Sequence, residues 1–355
     1  MRILHVITSL QTGGAEKLMV DLLPRFKANG VQADLLLFDG TDTPFKQQLQ
    51  DAGVQIYEFG RGGSVYNPLH ILRLIPYLRR YDIVHTHNTA PQLFAAIASV
   101  LCSVVLVTTE HNTTNRRRNW RWYKRIDRWM YSRYHKVVCI SDKAEENLRS
   151  YLEKFNSEIL TIYNGVDVER YYHAKPSAIN IVGEGRRSIV MVAGFRYQKD
   201  QDTLIRAVNL LPKHYHIVFV GDGERREECE QLCRDLGVVE RCHFLGVRMD
   251  VTQILKSADF VVMSSHYEGL SLSSIEGMSV GKPFLASDVD GLQEVVFGAG
   301  VLFPHQDYKT LSDEILRLDS DSEYYRSVAE ACYERAKQFD ISVMADNYLL
   351  LYKTF

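Results

Sequence analysis

The chain has 355 residues, 46% of them apolar and 24% charged, which suits about two soluble globular domains and excludes collagen-like, mucin-like and wholly disordered chains. Its formal charge is -2, from 42 Lys and Arg against 44 Asp and Glu, so the average gives no electrostatic reason to seek nucleic acid or an anionic membrane. Six cysteines without a CxxC pair exclude a disulfide framework or zinc finger and read as reduced, buried thiols. The opening MRILHVITSL runs into Gly-Gly without a signal-peptide cleavage site, and the most apolar stretch, Leu93 to Val107, falls short of the roughly 18–20 residues that span a bilayer. The expectation is a cytoplasmic protein without a transmembrane anchor.

Short β-branched runs alternate with helical patterns along the whole chain. Strands are expected at Ile3 to Thr8, Ala33 to Phe38, Ile83 to Thr86, Val104 to Thr108, Val137 to Ile140 and Ile159 to Tyr163. After a polar stretch from Ala174 to Arg187 the pattern restarts at Ile189 to Val192, His216 to Val220, Asp259 to Met263 and Pro283 to Ala286. Near-continuous apolar strands between amphipathic helices, such as Glu16 to Ala28 and Asp202 to Leu211, predict an α/β fold with two parallel sheets covered on both faces. The last segment, Val328 to Phe355, reads as one or two helices with Tyr348, Leu349 and Tyr352 on one face.

Ligands of doubly wound sheets bind at the carboxyl ends of the strands, so the loops there hold the candidate site. After the first strand, Thr12-Gly13-Gly14-Ala15-Glu16 lets the backbone approach a ligand at a helix start, but it is not the GxGxxG fingerprint of a nicotinamide enzyme. Arg196 and Lys199 stand three apart after Ile189 to Val192, well placed to neutralise a diphosphate. The strongest segment is Ser264 to Met278, SSHYEGLSLSSIEGM, which places Glu268 in a loop and Glu276 in the helix that follows. Two carboxylates eight apart are too distant to share a proton but can grip two parts of one elongated ligand, with N–H groups near Leu270 to Leu272 meeting a phosphate between them.

That segment resembles the Glu-x7-Glu signature of the retaining GT-B glycosyltransferases, most closely glycosyltransferase family 4 and its bacterial surface-polysaccharide branch. Thr12 to Glu16, His85-Thr86-His87, Thr109-Glu110-His111-Asn112, Ile140-Ser141, Asn164-Gly165-Val166-Asp167, Gln198-Lys199-Asp200, Gly221-Asp222-Gly223 and Gly281-Lys282-Pro283 fall in the family's order, so the resemblance covers essentially the whole chain. It implies two Rossmann-like domains facing across a cleft: residues 1–165 for the acceptor, residues 166–338 for the nucleotide-sugar donor, and 339–355 as a helix returning to the first domain. Glu268 would then bind donor-sugar hydroxyls and support the developing oxocarbenium ion, Glu276 would hold the ribose, and Gly269, Leu270, Ser271 and Leu272 would give backbone contacts. Lys199 would neutralise the leaving phosphates, Gly14 would approach the diphosphate, Val247 and Arg248 would meet the base, and His111 would sit beside the reacting sugar. His87 is expected at the acceptor side.

The family commonly carries an Arg five residues before the lysine; here Gly194 stands in that place, and Arg196 is the proposed substitute. With Lys199, Arg196 and a helix terminus supplying positive charge, no metal or other cofactor is expected, and the Asp-x-Asp pairs 200/202, 288/290 and 319/321 are not read as metal ligands. The expected donor is a UDP-sugar, with a GDP-sugar second, and retention is expected by front-face attack. The rivals are a GT-B-type sugar-nucleotide epimerase and a nucleic-acid-binding module.

The rival binder rests on residues 115–135, NRRRNWRWYKRIDRWMYSRYH, which hold all three tryptophans and eight cations against Asp127. This strip carries a net +7, leaving -9 for the rest of the chain. Arg with Trp and Tyr suits an interfacial helix on anionic lipid, so Arg116, Arg117, Arg118, Trp120 and Trp122 are assigned to an acceptor or membrane side, with Ile126, Trp129 and Met130 buried on the sheet. The partners expected are a nucleotide-sugar, a lipid-linked saccharide acceptor in surface polysaccharide synthesis and the inner face of the cell membrane, with no nucleic acid.

Overall fold

The computed structural model describes residues 1–11, 13–111, 122–153, 155, 157–178 and 180–355. The chain divides into two compact units, residues 1–165 with 341–355, and residues 166–340. In the first, β1 (Arg2–Ile7), β2 (Gln32–Leu37), β3 (Ile56–Glu58), β4 (Ile83–His87), β5 (Val105–Glu110), β6 (Lys136–Cys139) and β7 (Glu158–Thr161) form one parallel sheet in the order β3-β2-β1-β4-β5-β6-β7. In the second, β8 (Arg187–Val192), β9 (Tyr215–Val220), β10 (Cys242–Phe244), β11 (Phe260–Met263), β12 (Phe284–Ser287) and β13 (Val301–Phe303) run parallel in the order β10-β9-β8-β11-β12-β13. Both are Rossmann-like. Strand order reverses between β1 and β4 and again between β8 and β11, the switch points where loops diverge and leave a crevice.

The sheet of the first unit is covered on both faces. Ile3 and Ile7 of β1, Ile83 of β4 and Val107 of β5 pack with helix Gly14–Ala28 and the C-terminal helix Ile341–Tyr352. Leu4, Val6, Val84 and Leu106, one position out of step, pack with helices Leu69–Leu78, Thr89–Ala98 and Asp142–Leu152 on the other face. Period-two alternation therefore sends His5, His85 and His87 to the side of the C-terminal helix. His5 and His85 are register partners across β1 and β4, and His87 is opposite Thr109 of β5.

Two of the quoted motifs serve as helix caps. The Ser141 hydroxyl accepts from the Ala144 N–H at 3.2 Å, and an Asp167 carboxylate oxygen accepts from the Arg170 N–H at 3.0 Å. The strands that sequence periodicity misses, β3, β10 and β13, are three residues each, too short to show a period.

One packing expectation is corrected. In helix Tyr123–Tyr131, Met130 is buried, but Ile126 and Trp129 are exposed, Trp129 by 43%. Asp127 turns inward in their place and accepts from the Tyr151 hydroxyl at 3.0 Å, while Tyr131 reaches the Glu110 carboxylate at 2.5 Å. Two satisfied polar contacts fix the helix rotation and leave Trp122, Ile126 and Trp129 along one outer face.

Candidate active site

In the second unit the loops after β10, β9, β8, β11 and β12 are joined by backbone hydrogen bonds across the carboxyl edge. Gly221 N–H donates to the Gly246 carbonyl at 2.9 Å, Phe195 N–H to Asp222 at 3.1 Å, His266 N–H to Gln198 at 2.8 Å and Glu268 N–H to Asp290 at 3.3 Å. Glycine makes the closest approaches possible. A Cβ on Gly291, at φ +82°, would stand 2.2 Å from the Gly269 carbonyl oxygen and 2.5 Å from that of Glu268. No other residue fits there without moving the loop that carries Glu268.

Glu268 is 8% exposed, and its burial is compensated by three donors. Lys199 Nζ pairs with Oε1, the Ser265 hydroxyl donates to the same oxygen at 2.8 Å, and Gln198 Nε2 donates to Oε2 at 3.2 Å. Arg196 is exposed on the same loop, with no ion pair among the described residues. Its Nε lies 3.8 Å from where a Cβ on Gly194 would stand.

Helix Leu272–Ser279 begins immediately after this loop, capped by the Ser271 hydroxyl, which accepts from the Ser274 N–H at 3.3 Å. Glu276 lies one turn in, buried, and is hydrogen-bonded by the Tyr171 hydroxyl. Burial, followed by the Glu276 charge, pushes the Tyr171 phenol well above its ordinary range, so it stays a donor.

The first unit's edge is different in kind. His5 Nδ1 is 3.0 Å from His87 Nε2, and His87 Nδ1 is 2.9 Å from His111 Nε2. His85 bonds the Tyr352 hydroxyl through Nδ1 at 2.5 Å and the Thr109 hydroxyl through Nε2 at 2.7 Å. Thr109 in turn meets the Tyr348 hydroxyl at 3.0 Å, so the C-terminal helix closes this network. Burial pushes His5 down to about 3 and His111 to about 4, the latter against the opposing pull of Glu110. His85 and His87 fall well below the histidine range through burial and through neighbouring rings. All four rings are neutral at pH 7.

Two clusters among the described residues bring His and Asp ligand atoms within 4.8 Å of one another: His5, His85 and His87, and Asp200, His266 and His305. In the second, His266 Nδ1 is 2.8 Å from His305 Nε2 and 3.9 Å from Asp200 Oδ2. These are the residues of each unit that could hold a metal ion.

Residues 12–170 match the Glycosyltransferase Family 4 model, and residues 176–338 match the Glycosyl transferases group 1 model. The chain belongs to this glycosyltransferase family. An uncharacterised glycosyltransferase of Methanocaldococcus jannaschii is 30% identical over 234 residues, 61% of this chain and 60% of that protein. The UDP-Gal:α-D-GlcNAc-diphosphoundecaprenol α-1,3-galactosyltransferase of Escherichia coli is 29% identical over 265 residues, 68% of this chain and 67% of its own. Among solved structures, HepE of Anabaena in complex with UDP superposes with a TM-score of 0.85 at 22% identity, covering 100% of both chains. That likeness establishes the GT-B fold.

The structure of this glycosyltransferase gathers Arg196, Lys199, Glu268, Gly269, Leu270, Ser271, Leu272 and Glu276 at the β8/β11 switch point. Val247 and Arg248 lie further out, after β10, both exposed, with Arg248 paired to Asp250 at 2.7 Å. Gly14, the first residue of its helix, follows β1; His87 ends β4 and His111 follows β5, the two bonded to each other. Trp122 is 59% exposed at the start of its helix. Arg116, Arg117, Arg118 and Trp120 lie outside the described residues. Sequence reasoning missed Ser265, Gln198, Tyr171, Gly291 and His5. Ser265 and Gln198 lie inside the quoted motifs but were given no role there; the other three touch the site only through space.

Proposed function

We propose that the chain transfers a sugar, with retention, from a UDP-sugar to a lipid-linked saccharide in surface polysaccharide synthesis, without a metal. The observation that carries this reading is Glu268, a buried carboxylate held by Lys199, Ser265 and Gln198 at a switch point whose rim offers the exposed Arg196. An ammonium has three donors, so Lys199 can keep Glu268 and take a phosphate oxygen at once. Lys199, Arg196 and the N-terminus of helix Leu272–Ser279 together neutralise the departing diphosphate, while Glu268 faces the positive charge that develops on the sugar. In front-face attack the leaving phosphate takes the acceptor's proton. Glu276, aimed by Tyr171, holds the ribose; Gly269 to Leu272 and Gly14 give backbone contacts, and the Val247–Arg248 loop meets the base.

UDP is favoured because the Escherichia coli relative is named for UDP-Gal and the HepE structure holds UDP. The same relative, named for a diphosphoundecaprenol acceptor, supports a lipid-linked acceptor. Among the described residues no helix is long and apolar enough to cross a membrane. Peripheral binding to the inner face of the cell membrane is supported by Trp122, Ile126 and Trp129, exposed at spacings of four and three, with Arg125 and Arg128 exposed between them. Arg133 reaches the Ser99 carbonyl at 3.5 Å and brings the exposed Val100 and Leu101 beside that helix's end. Aromatic and aliphatic groups over a cationic face suit the headgroup boundary of an anionic bilayer.

The test is transfer of labelled sugar from UDP- and GDP-sugars to a polyprenyl-diphosphate saccharide, with thermal shift by each nucleotide measured alongside. Stabilisation by UDP and full activity in excess chelator are expected. Loss of activity on chelation, restored by Mn²⁺ or Mg²⁺, would overturn metal independence and direct attention to Asp200, His266 and His305.

A further inference from the structure

Three loops of the second unit bring two imidazoles and a carboxylate together at the carboxyl edge of its sheet. Asp200 ends the loop after β8, His266 follows β11 and His305 follows β13, and their ligand atoms lie within 4.8 Å of one another. His266 Nδ1 is the common point, 2.8 Å from His305 Nε2 and 3.9 Å from Asp200 Oδ2. Two nitrogen or oxygen ligands of one tetrahedral zinc ion, each at about 2.0–2.1 Å, stand about 3.4 Å apart. Both separations are within about 0.6 Å of that value, a shift that side-chain rotation supplies.

Two of the three ligands are held before any ion arrives. Asp200 is buried, its Oδ2 accepts from the Thr203 hydroxyl at 2.7 Å, and its carbonyl accepts from the Ser264 hydroxyl at 2.8 Å. The His266 N–H donates to the Gln198 carbonyl at 2.8 Å, and the Tyr197 ring lies against the imidazole with centroids 4.5 Å apart. His305 is exposed, so its ring can take an ion from water and close on the other two. The Thr203 hydroxyl is the outer partner that orients a ligating carboxylate. Asp202, the other half of the Asp-x-Asp pair, is engaged by Arg225 at 3.1 Å and stays outside the set. The trio of the first unit is less ready: His5, His85 and His87 are all buried, and Tyr352 and Thr109 engage both nitrogens of His85.

We propose that Asp200 Oδ2, His266 Nδ1 and His305 Nε2 form a binding site for a borderline divalent transition metal, Zn²⁺ first, with Co²⁺ and Ni²⁺ as substitutes. Two imidazoles and one carboxylate suit these ions, whereas Mg²⁺ and Ca²⁺ prefer shells of oxygen. Three protein ligands leave the fourth position of a tetrahedral ion to water. The ion is a brace between loops and not the electrophile of a reaction. Asp200 adjoins Lys199, and His266 precedes Glu268 by two residues. Coordination therefore ties the loop that carries Lys199 to the loop that carries Glu268 and fastens both to the end of β13. The assignment stands apart from the proposed glycosyl transfer, which needs no metal.

The test is titration of the chelator-stripped full chain with Zn²⁺ and with Co²⁺ at pH 7, followed by calorimetry and visible absorption. One equivalent should bind, with the d–d bands of four- or five-coordinate Co²⁺ and no thiolate-to-cobalt charge-transfer band. Loss of a ligand's outer partner typically costs about 10- to 100-fold in metal affinity, and loss of the ligand itself costs more. His305→Ala, at an exposed position, should therefore keep the metal-free melting temperature and raise the Zn²⁺ Kd by at least about 100-fold, as should His266→Gln. Thr203→Val, which removes the hydroxyl on Asp200, should raise it roughly tenfold. Bound Zn²⁺ should also slow hydrogen exchange at residues 264–268 and 304–307. No binding, unchanged affinity in a folded His305→Ala protein, a thiolate band that puts the ion on cysteine, or displacement of Zn²⁺ by equimolar Mg²⁺ would sink the site; unchanged exchange at both loops would sink the brace. A protein that binds one Zn²⁺ through these residues and transfers no sugar supports the site and removes only the reading of the reaction. Transfer in a protein that binds no Zn²⁺ does the reverse.

Discussion

The two units share a doubly wound fold and put their polar residues at the same topological place, yet they solve the burial of polar groups in opposite ways. At the β1/β4 edge the groups are imidazoles bonded to one another and to Tyr352 and Thr109, with His5 Nε2 and His111 Nδ1 left without a partner among the described residues. At the β8/β11 edge they are ions: a buried carboxylate against a lysine, a second carboxylate held by a tyrosine, an exposed arginine beside them. A charge costs too much to bury without a counter-charge, while a neutral ring needs only hydrogen bonds. The fold fixes where these polar groups lie; the residues that happen to end each strand decide whether they are ionic or imidazole.

Acid should break this comparison most sharply. A histidine whose native pKa lies below its unfolded value of about 6.5 contributes nothing above that value, and its unfolded form takes up a proton that the native form refuses as pH falls. At pH 5 His5 and His111, held at about 3 and about 4, then each cost roughly 2 kcal/mol, and His85 and His87 act in the same direction, against a whole-domain stability of about 5–15 kcal/mol. The second unit has His216, pushed down to about 4, and His243, also lowered, both by partial burial. Its lowered carboxylates, Asp250 and Asp307, keep their contribution until pH falls below about 4. Hydrogen exchange at pH 7 and pH 5 should show residues 1–165 losing protection before residues 166–340; equal loss would remove the contrast.

The next effect is on chemistry. Glu268→Gln keeps the shape and the Ser265 contact but removes the charge that the proposed reaction sets against the sugar, so kcat should fall on the order of 10²- to 10³-fold, and the melting temperature should fall too because Lys199 loses its counter-charge. Gly291→Ala acts on the same carboxylate through the backbone. Its Cβ would press on the carbonyls of Glu268 and Gly269, at a φ of +82°. A loss of about 1–3 kcal/mol in stability and a raised donor KM are expected, measured by thermal unfolding and steady-state kinetics.

How far the sequence could be read follows the same division. Lys199, Glu268 and Glu276 were legible because ionic residues after an apolar strand stand out, and a long-range motif order supported them. The four-histidine network was only half legible: His85, His87 and His111 were noticed, while His5, inside the apolar run of β1, is 82 residues from the ring it bonds. Tyr171 and Gly291 were invisible for the same reason, since nothing local marks a hydroxyl that reaches Glu276 or a Cβ that would strike Gly269. The rotation of helix Tyr123–Tyr131 was misjudged because pattern alone put Ile126 and Trp129 inside. Asp127, bonded to Tyr151, takes that face.

The smallest expected effect tests how much the ionic edge depends on position. The family resemblance leads one to expect an arginine where this chain has Gly194, and Arg196 stands two residues further along the same loop. Its Nε lies 3.8 Å from a Cβ built on Gly194, so the guanidinium occupies the region that a side chain from 194 would enter. Arg196→Ala should raise the donor KM by roughly five- to tenfold, about 1–1.4 kcal/mol, the worth of one charge-assisted contact at an exposed rim. Gly194→Arg in that background is the stricter test. The Cβ would meet only the Asp222 carbonyl at 3.4 Å, ordinary contact, and the backbone of Gly194 is not in the left-handed region, so the arginine can be accommodated. Restored donor KM in the double variant would mean that the edge needs a cation in that volume regardless of which residue delivers it. An unchanged KM in Arg196→Ala would mean that Lys199 and the helix N-terminus suffice, and the exposed arginine would then lose its place in the site.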